Sequence, residues 1–248
     1  MTTHAIASQD QWLEARRDLL AAEKDLSRRS DQVAHLRRQL PWVRVEQDYV
    51  FEGPDGHQKL AELFDGRRQL LVQHFMLAPG WEEGCKSCSY MADHSDGMIP
   101  HLAQRDTAFV AISRAPYAEI VRFKRRMGWK FKWLSSNGSS FNYDFRVSFT
   151  PDEAAKGSQA YNYGSSPYGQ EELPGVSVFF KDDNGDVFHT YSTYGRGVDV
   201  MMGTYRMLDL TPKGRDETGE ATRMGWVRHH DRYEPVKTAG AACCGGPR

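Results

Sequence analysis

The sequence predicts an α/β protein: a central mixed sheet flanked by helices, with a long helix in front of it. Residues 70–76 and 107–113 are almost wholly apolar and of strand length, a pattern typical of strands buried on both faces. Residues 176–181 and 187–192 predict two more strands, joined by the hairpin signal at 183–186. The first pair predicts parallel strands with right-handed crossovers, and the second pair adds antiparallel strands to the same sheet.

Helices are predicted between and after these strands. Pro116 fits the first position of a helix that runs to Met127, and Gly128 fits its end. A final helix is predicted for residues 198–210. Residues 150–175 are rich in Gly, Ser, Pro and Tyr, which predicts a long loop.

Residues 8–40 predict one long helix that ends before Pro41. Ser8 and Gln11 form a capping-box pattern at its start. Apolar residues recur every seven positions; this main series is Trp12, Leu19, Leu26, Val33 and Leu40. A second apolar series with the same spacing lies between these positions, and Arg29 interrupts it. Two interpretations stay open: the helix packs along its own domain, or it is an arm that forms a homodimer.

Length and composition indicate one large domain with two appendages. We expect a helical extension at 1–41, the α/β domain at 42–235 and a flexible tail at 236–248. Basic and acidic side chains nearly balance, at 32 and 33, so composition favours neither nucleic acid nor an anionic membrane as a partner. No apolar run approaches the roughly 18 residues of a membrane helix, and no secretory signal precedes the domain, so we expect a cytoplasmic protein.

The chemistry centres on Cys85-Lys86-Ser87-Cys88, which follows the first buried strand. A cysteine at a helix start faces free backbone N–H groups, which favour the thiolate, and Lys86 adds positive charge beside it. The spacing of three brings the second sulfur to the same helical face. Cys85 is therefore the expected nucleophile and Cys88 the resolving thiol of a redox pair, with no cofactor required.

A metal site is the alternative interpretation of the same pair. CxxC is half of a typical thiolate site, and copper or zinc would suit thiolate and imidazole ligands. His74, on the strand that leads to Cys85, and His101, on the segment after it, are the candidate ligands. A second pair, Cys243-Cys244, lies in the expected tail.

Polar and aromatic residues are candidates to line a pocket over Cys85, because connections at strand ends surround the cleft of such folds. The candidates are Trp81, Lys86, Trp133, Asn142, Tyr143 and Asp144. Basic and aromatic residues also alternate over 122–133, a pattern that superficially suits single-stranded nucleic acid. We interpret it as the cationic end of a helix followed by a strand.

Several distinctive segments occur in order between about residue 12 and residue 233. They are Arg38-Gln39-Leu40-Pro41-Trp42, Leu63-Phe64-Asp65-Gly66-Arg67, His74-Phe75-Met76, Cys85-Lys86-Ser87-Cys88-Ser89, Ser113-Arg114-Ala115-Pro116, Arg126-Met127-Gly128-Trp129, Phe141-Asn142-Tyr143-Asp144-Phe145, Phe188-His189-Thr190-Tyr191-Ser192 and Leu208-Asp209-Leu210-Thr211-Pro212. In these the chain resembles the bacterial family DUF899, a thioredoxin-like domain of unknown function. The resemblance implies a thioredoxin-like fold and, by analogy of fold, a dithiol–disulfide oxidoreductase.

The chain departs from ordinary thioredoxins in two places. They carry Trp-Cys-Gly-Pro-Cys, whereas this chain has Gly84-Cys85-Lys86-Ser87-Cys88. They also place a cis-proline just before the third strand, where this chain has Pro174 and then Gly175. We therefore expect a small or specialised substrate, either a small molecule or a disulfide, and a thiol reductant as the second partner.

Overall fold

A computed structural model describes residues 4–166 and 169–235 of the chain. These residues belong to two compact units, one ending at Trp42 and the other beginning at Val43. The expected tail at 236–248, with Cys243 and Cys244, lies outside the described residues.

The first unit contains one helix, α1 (Gln9–Arg38), as the sequence predicts. The Ser8 hydroxyl accepts a hydrogen bond from the Gln11 N–H at 3.3 Å, and the Gln11 side chain accepts one from the Ser8 N–H at 2.9 Å, which confirms the capping box. No residue of α1 is buried. None of the helices in the described ranges combines the length and the apolar run that a bilayer crossing requires.

The strands of the second unit, over the described residues, are β1 (Val43–Arg44), β2 (Val50–Gly53), β3 (Gly56–Lys59), β4 (Gln69–His74), β5 (Thr107–Ser113), β6 (Lys132–Ser135), β7 (Gln159–Tyr161), β8 (Gly164–Ser166), β9 (Gly175–Lys181) and β10 (Val187–Tyr194). Its helices are α2 (Lys86–Ala92), α3 (Ser95–Ala103), α4 (Tyr117–Met127), α5 (Phe141–Asp144), α6 (Pro151–Ala155) and α7 (Gly203–Leu208). Three 3-10 segments of the described residues lie at Leu60–Glu62, Gly195–Met201 and His230–Arg232.

The main sheet has the strand order β1-β10-β9-β4-β5-β6-β2-β3. Strands β4, β5 and β6 are parallel, whereas β9 runs antiparallel to β4, and β10 antiparallel to β9. A parallel pair joined through helices, followed by a hairpin on the side of its first strand, is the arrangement of the thioredoxin-like fold. The fold class predicted from the sequence is therefore confirmed.

The two faces of the sheet carry separate apolar clusters because successive side chains of a strand point to opposite faces. Leu70 and Val72 of β4 join the cluster that contains Phe51 and Phe141. On the other face, Phe75 packs in a cluster that contains residues of α2 and α4. Cys88 belongs to this second cluster, so the cysteine motif lies on the α2 and α4 face.

The final helix is shorter than the sequence predicts. A 3-10 segment covers Gly195–Met201, and a regular helix begins only at Gly203. The break lies where the His94 ring packs against the chain: a Cβ added to Gly203 would lie 3.0 Å from His94 Cδ2, and the Thr204 N–H donates to His94 Nε2 at 3.1 Å. This long-range contact sets the start of α7.

The segment expected to be a loop, 150–175, contains regular structure as well. Thr150 and Glu153 form a capping box at α6, with Pro151 in the first turn. The hairpin β7–β8 follows, and its turn residues Asn162 and Tyr163 have positive φ angles of 53° and 62°. Each peptide bond of the described residues, including the one before Pro174, is trans.

A row of four hydrogen-bonded polar side chains connects β4 with β10. His74 Nε2 lies 2.7 Å from Ser177 Oγ, Ser177 Oγ lies 2.7 Å from Ser192 Oγ, and Ser192 Oγ lies 2.7 Å from His189 Nε2. Burial lowers the pKa of His74 to about 3, with a smaller contribution from His189. His74 is therefore neutral in the folded protein over most of the acidic range.

This burial predicts acid sensitivity. Between pH 6.5 and 3 the unfolded chain binds a proton at residue 74 that the folded chain does not, so stability falls as the pH is lowered. Urea unfolding at pH 7 and pH 5 should show a loss of about 2 kcal/mol from this residue. In His74→Gln that part of the loss should disappear, whereas His101→Gln, at an exposed residue, should keep it. An equal pH dependence in His74→Gln and the wild type would contradict the assignment.

Candidate functional site

The cysteine motif lies at the edge of the sheet where the parallel strands β4, β5 and β6 end. The chain leaves β4 at His74, passes through a loop and enters α2 at Lys86, so that Cys85 is the capping residue of this helix. The Cys85 N–H donates to the Met76 carbonyl at 3.0 Å. The backbone of Cys85 is thus held against the end of β4.

Gly84 is required by packing. A Cβ at this position would lie 2.6 Å from Cε1 of Phe75 and 2.8 Å from Cε1 of Phe123, closer than carbon atoms can approach. The Gly84 carbonyl oxygen accepts a hydrogen bond from His229 Nε2 at 2.8 Å. The peptide between Gly84 and Cys85 is therefore held at its carbonyl by His229 and at its N–H by Met76.

His229 belongs to a segment, residues 225–232, that we call the C-terminal clasp. Lys86 Nζ donates to the Gly225 carbonyl of the clasp at 3.3 Å. Arg126 on α4 joins Asp231 of the clasp (2.8 Å) to Glu83 of the cysteine loop (2.5 Å). The clasp thus contacts both sides of Cys85 along the chain. No local sequence pattern predicts these contacts, because 145 residues separate Gly84 from His229.

The two cysteines are free thiols in different environments. Cys85 is half-buried, and Cys88 is 2% exposed. Hydrogen bonds lower the pKa of Cys85 to about 6; the Cys88 thiol is the largest contributor, followed by the backbone N–H groups of Cys88 and Ser87 and the Ser87 side chain, and burial opposes them. The same hydrogen bond to Cys85, together with burial, raises the pKa of Cys88. The pair is therefore poised as an accessible thiolate beside a buried thiol.

Lys86 has a different environment from the one the sequence suggests. Its ammonium group reaches the Gly225 carbonyl, while the groups that stabilise the Cys85 thiolate are the Cys88 thiol and the first turn of α2. The lysine therefore ties α2 to the clasp.

The other pocket candidates separate into two groups. Trp133, Asn142 and Asp144 make internal hydrogen bonds: Trp133 Nε1 donates to Ser113 Oγ at 3.0 Å, Asn142 Oδ1 accepts from Ser136 at 2.7 Å, and Asp144 accepts from Tyr49 at 2.9 Å. Trp133 and Asn142 are each 1% exposed. Trp133 and Asn142 thus support the sheet edge from within, whereas Asp144 is exposed.

Tyr143 and Trp81 line two separate surface depressions. Tyr143 and Arg114 border one of about 400 Å³, together with the loop 136–140. Trp81, four residues before Cys85, borders another of about 410 Å³ with Glu171, Glu172 and parts of α6. The second depression reaches the cysteine loop directly through Trp81.

A buried ion pair connects these two depressions. Arg114 Nε donates to Glu172 Oε1 at 2.5 Å, and Arg114 Nη1 donates to the Tyr143 hydroxyl at 2.6 Å. Ser148 Oγ donates to the other Glu172 oxygen at 2.8 Å. Burial raises the pKa of Glu172, and Arg114 opposes that rise. The negative charge of Glu172 in turn contributes to the raised pKa of Cys88.

The histidines proposed as metal ligands are not brought to the cysteines. His74 follows Leu70 and Val72 on the face of β4 opposite Cys88, and it stacks against Phe145 at 5.8 Å between ring centres. His101 is exposed on α3. Within 4–166 and 169–235, no group of three or more His, Cys, Asp or Glu side chains is arranged to hold a metal ion.

Comparisons with known proteins place the chain in a family. A family model described as a bacterial protein of unknown function (DUF899) matches residues 1–233. No protein of curated function matches the chain in sequence.

Solved structures that match the chain include peroxiredoxins. A cysteine-to-serine mutant of Xanthomonas campestris peroxiredoxin Q is 8% identical, with a TM-score of 0.45, over 68% of this chain and 98% of that one. Peroxidoxin BcpB from Mycobacterium tuberculosis is 16% identical, with a TM-score of 0.42, over 68% and 97%. Because these TM-scores are below 0.5, the chemistry of the site must be inferred from its own geometry.

The tight packing at Gly84 gives a direct prediction. Gly84→Ala should destabilise the protein by about 1–3 kcal/mol and slow the reaction of Cys85 with thiol reagents, because Phe75 and Phe123 must move. Gly97→Ala is the matched control: it lies in α3 with no atom within 4 Å of the added Cβ and should be neutral or stabilising by up to about 1 kcal/mol. Denaturant unfolding and thiol labelling measure both effects. Equal behaviour of the two variants would contradict the packing role of Gly84.

Proposed function

Because this chain belongs to the bacterial family DUF899, whose description names no activity, we propose its function from the cysteine site: a dithiol–disulfide oxidoreductase acting on a small substrate. The observation that supports it most strongly is the placement of the two thiols. Cys85 is half-buried at the start of α2, and Cys88 lies one turn further on, buried and hydrogen-bonded to it. This is the geometry that a nucleophilic and a resolving thiol need.

The Cys85 thiolate attacks one sulfur of the substrate disulfide, so that a mixed disulfide forms and the first substrate thiolate leaves and takes up a proton. Cys88 loses its proton and attacks Cys85 Sγ, which releases the second substrate thiol. The substrate is reduced by two electrons, and the protein keeps a Cys85–Cys88 disulfide. A thiol reductant then returns both cysteines to the reduced state.

The shape of the site supports a small substrate. Gly84, the residue before Cys85, packs against the rings of Phe75 and Phe123 and is hydrogen-bonded to the clasp, which restricts the space beside the thiol. The depression at Trp81, four residues before Cys85, holds about 410 Å³, a volume suited to a small molecule. For the location of this pair we propose the cytoplasm, where disulfides are usually transient and catalytic. His74 lies on the other face of β4 against Phe145, and His101 is exposed on α3, which supports this function over a metal site at the cysteines.

Trapping tests the two roles separately. With a small aromatic disulfide as probe, Cys88→Ser should accumulate a stable mixed disulfide at Cys85, because the resolving thiol is gone. Cys85→Ser should lose at least about 100-fold in the rate of probe reduction, because the remaining thiol is buried and has a raised pKa. Mass spectrometry identifies the labelled peptide. Unchanged turnover in Cys85→Ser would refute the function, whereas oxidation by hydrogen peroxide but by no disulfide would identify a peroxide as the substrate.

The low pKa of Cys85 predicts the pH dependence of its alkylation. The rate at Cys85 should rise with pH through a midpoint near 6, because only the thiolate reacts. Cys88→Ala should raise that midpoint by removing the largest stabilising donor, and Ser87→Ala should raise it less. Peptide mapping separates Cys85 from the other cysteines. A midpoint near that of an ordinary cysteine, about 8.5, in the wild type would contradict the proposed stabilisation.

A further inference from the structure

Helix α1 presents an apolar stripe to solvent. Trp12, Leu19, Leu26 and Leu36 are each more than half exposed, and no residue of the helix is buried. They occupy the positions of a seven-residue repeat over a helix of 30 residues, about 45 Å long. A repeat of this length on an exposed helix is typical of a two-stranded coiled coil rather than of a helix that remains single in water.

The distribution of charge along α1 indicates which surface covers this apolar stripe. Residues 9–25 carry five acidic and three basic side chains, a net charge of −2, whereas residues 26–38 carry four basic and one acidic side chain, a net charge of +3. A second copy of α1 in antiparallel orientation places each acidic half against a basic half. A parallel copy would place like charges together.

The interruption of the repeat at Arg29 favours the same orientation. In a parallel pair, Arg29 would face Arg29 of the second copy at a core position. In an antiparallel pair centred near residue 24, Ala22 meets Leu26 of the second copy and Trp12 meets its Leu36. Arg29 then lies beside Leu19, within one turn of Asp18 of the second copy, where its charge is compensated.

We propose that this protein forms a homodimer through an antiparallel coiled coil of its α1 helices. The seam consists of the seven-residue series and its companions, Trp12, Ala15, Leu19, Ala22, Leu26, Arg29, Val33 and Leu36. The acidic and basic halves set the orientation. This assembly does not depend on the redox function of the cysteines, so each can fail without the other.

Sedimentation of the full chain tests the dimer. The wild type should sediment as a concentration-dependent dimer that weakens in 1 M salt, because the paired halves are then screened. Leu26→Glu should weaken dimerisation at least about tenfold, because it introduces a charge at the seam. Ala21→Glu adds the same charge away from the seam and should leave the dimer intact. A wild type that is monomeric at all concentrations, or a dimer equally tolerant of both variants, would overturn the proposal.

Spin-label distances in the full chain test the orientation. An unnatural amino acid carrying the label replaces Asp10, so that the native cysteines stay unmodified. The antiparallel pair places the two labels at least about 40 Å apart, since 28 residues separate them along the axis. A parallel pair would place them about 20 Å apart, the combined width of two helices. A short distance, or a distance absent because only monomer is present, would overturn the antiparallel dimer.

Discussion

The site depends on the hydrogen bonds that fix the peptide group between Gly84 and Cys85. Its N–H is bound by the Met76 carbonyl at the end of β4, and its carbonyl is bound by His229 from the C-terminal clasp. The rings of Phe75 and Phe123 leave no room for a side chain at Gly84. Because this peptide leads into α2, the same contacts fix the direction in which the Cys85 thiol meets the N–H groups that stabilise its thiolate. The sheet, the clasp and helix α2 thus all contact this one peptide group.

Most of the regular structure could be predicted because its signals are local. Strand β5 coincides with the apolar run 107–113, and α1 begins at the capping box that Ser8 and Gln11 form. The start of α7 could not be predicted in this way, since His94 sets it from a distant part of the chain. The family resemblance supplied the overall fold, which the arrangement of β4, β5, β9 and β10 confirms.

The candidate site likewise contains a part that local sequence signals predict and a part that depends on long-range contacts. The position of Cys85 and Cys88 follows from a strand and a helix start that are adjacent in sequence, so the motif and its place could be predicted. His229, Arg126 and Glu172 act on the site from distant segments. No local pattern marks His229 or Glu172, and Arg126 lies in a distinctive segment that does not by itself point to the cysteines. The sequence predicts His74 as a metal ligand and Trp133 as part of a pocket over Cys85, but each makes a hydrogen bond inside the fold, His74 Nε2 with Ser177 and Trp133 Nε1 with Ser113.

In the proposed function, Cys85 and Cys88 form a reversible redox couple. Equilibrating the full chain in glutathione buffers of graded potential, followed by acid quenching and peptide mass spectrometry, measures the fraction of Cys85–Cys88 disulfide at each potential. The geometry predicts a single two-electron transition between these residues, with the same midpoint from the oxidised and the reduced side. Absence of a Cys85–Cys88 disulfide at every potential, or a transition that does not reverse, would contradict a redox couple at these residues.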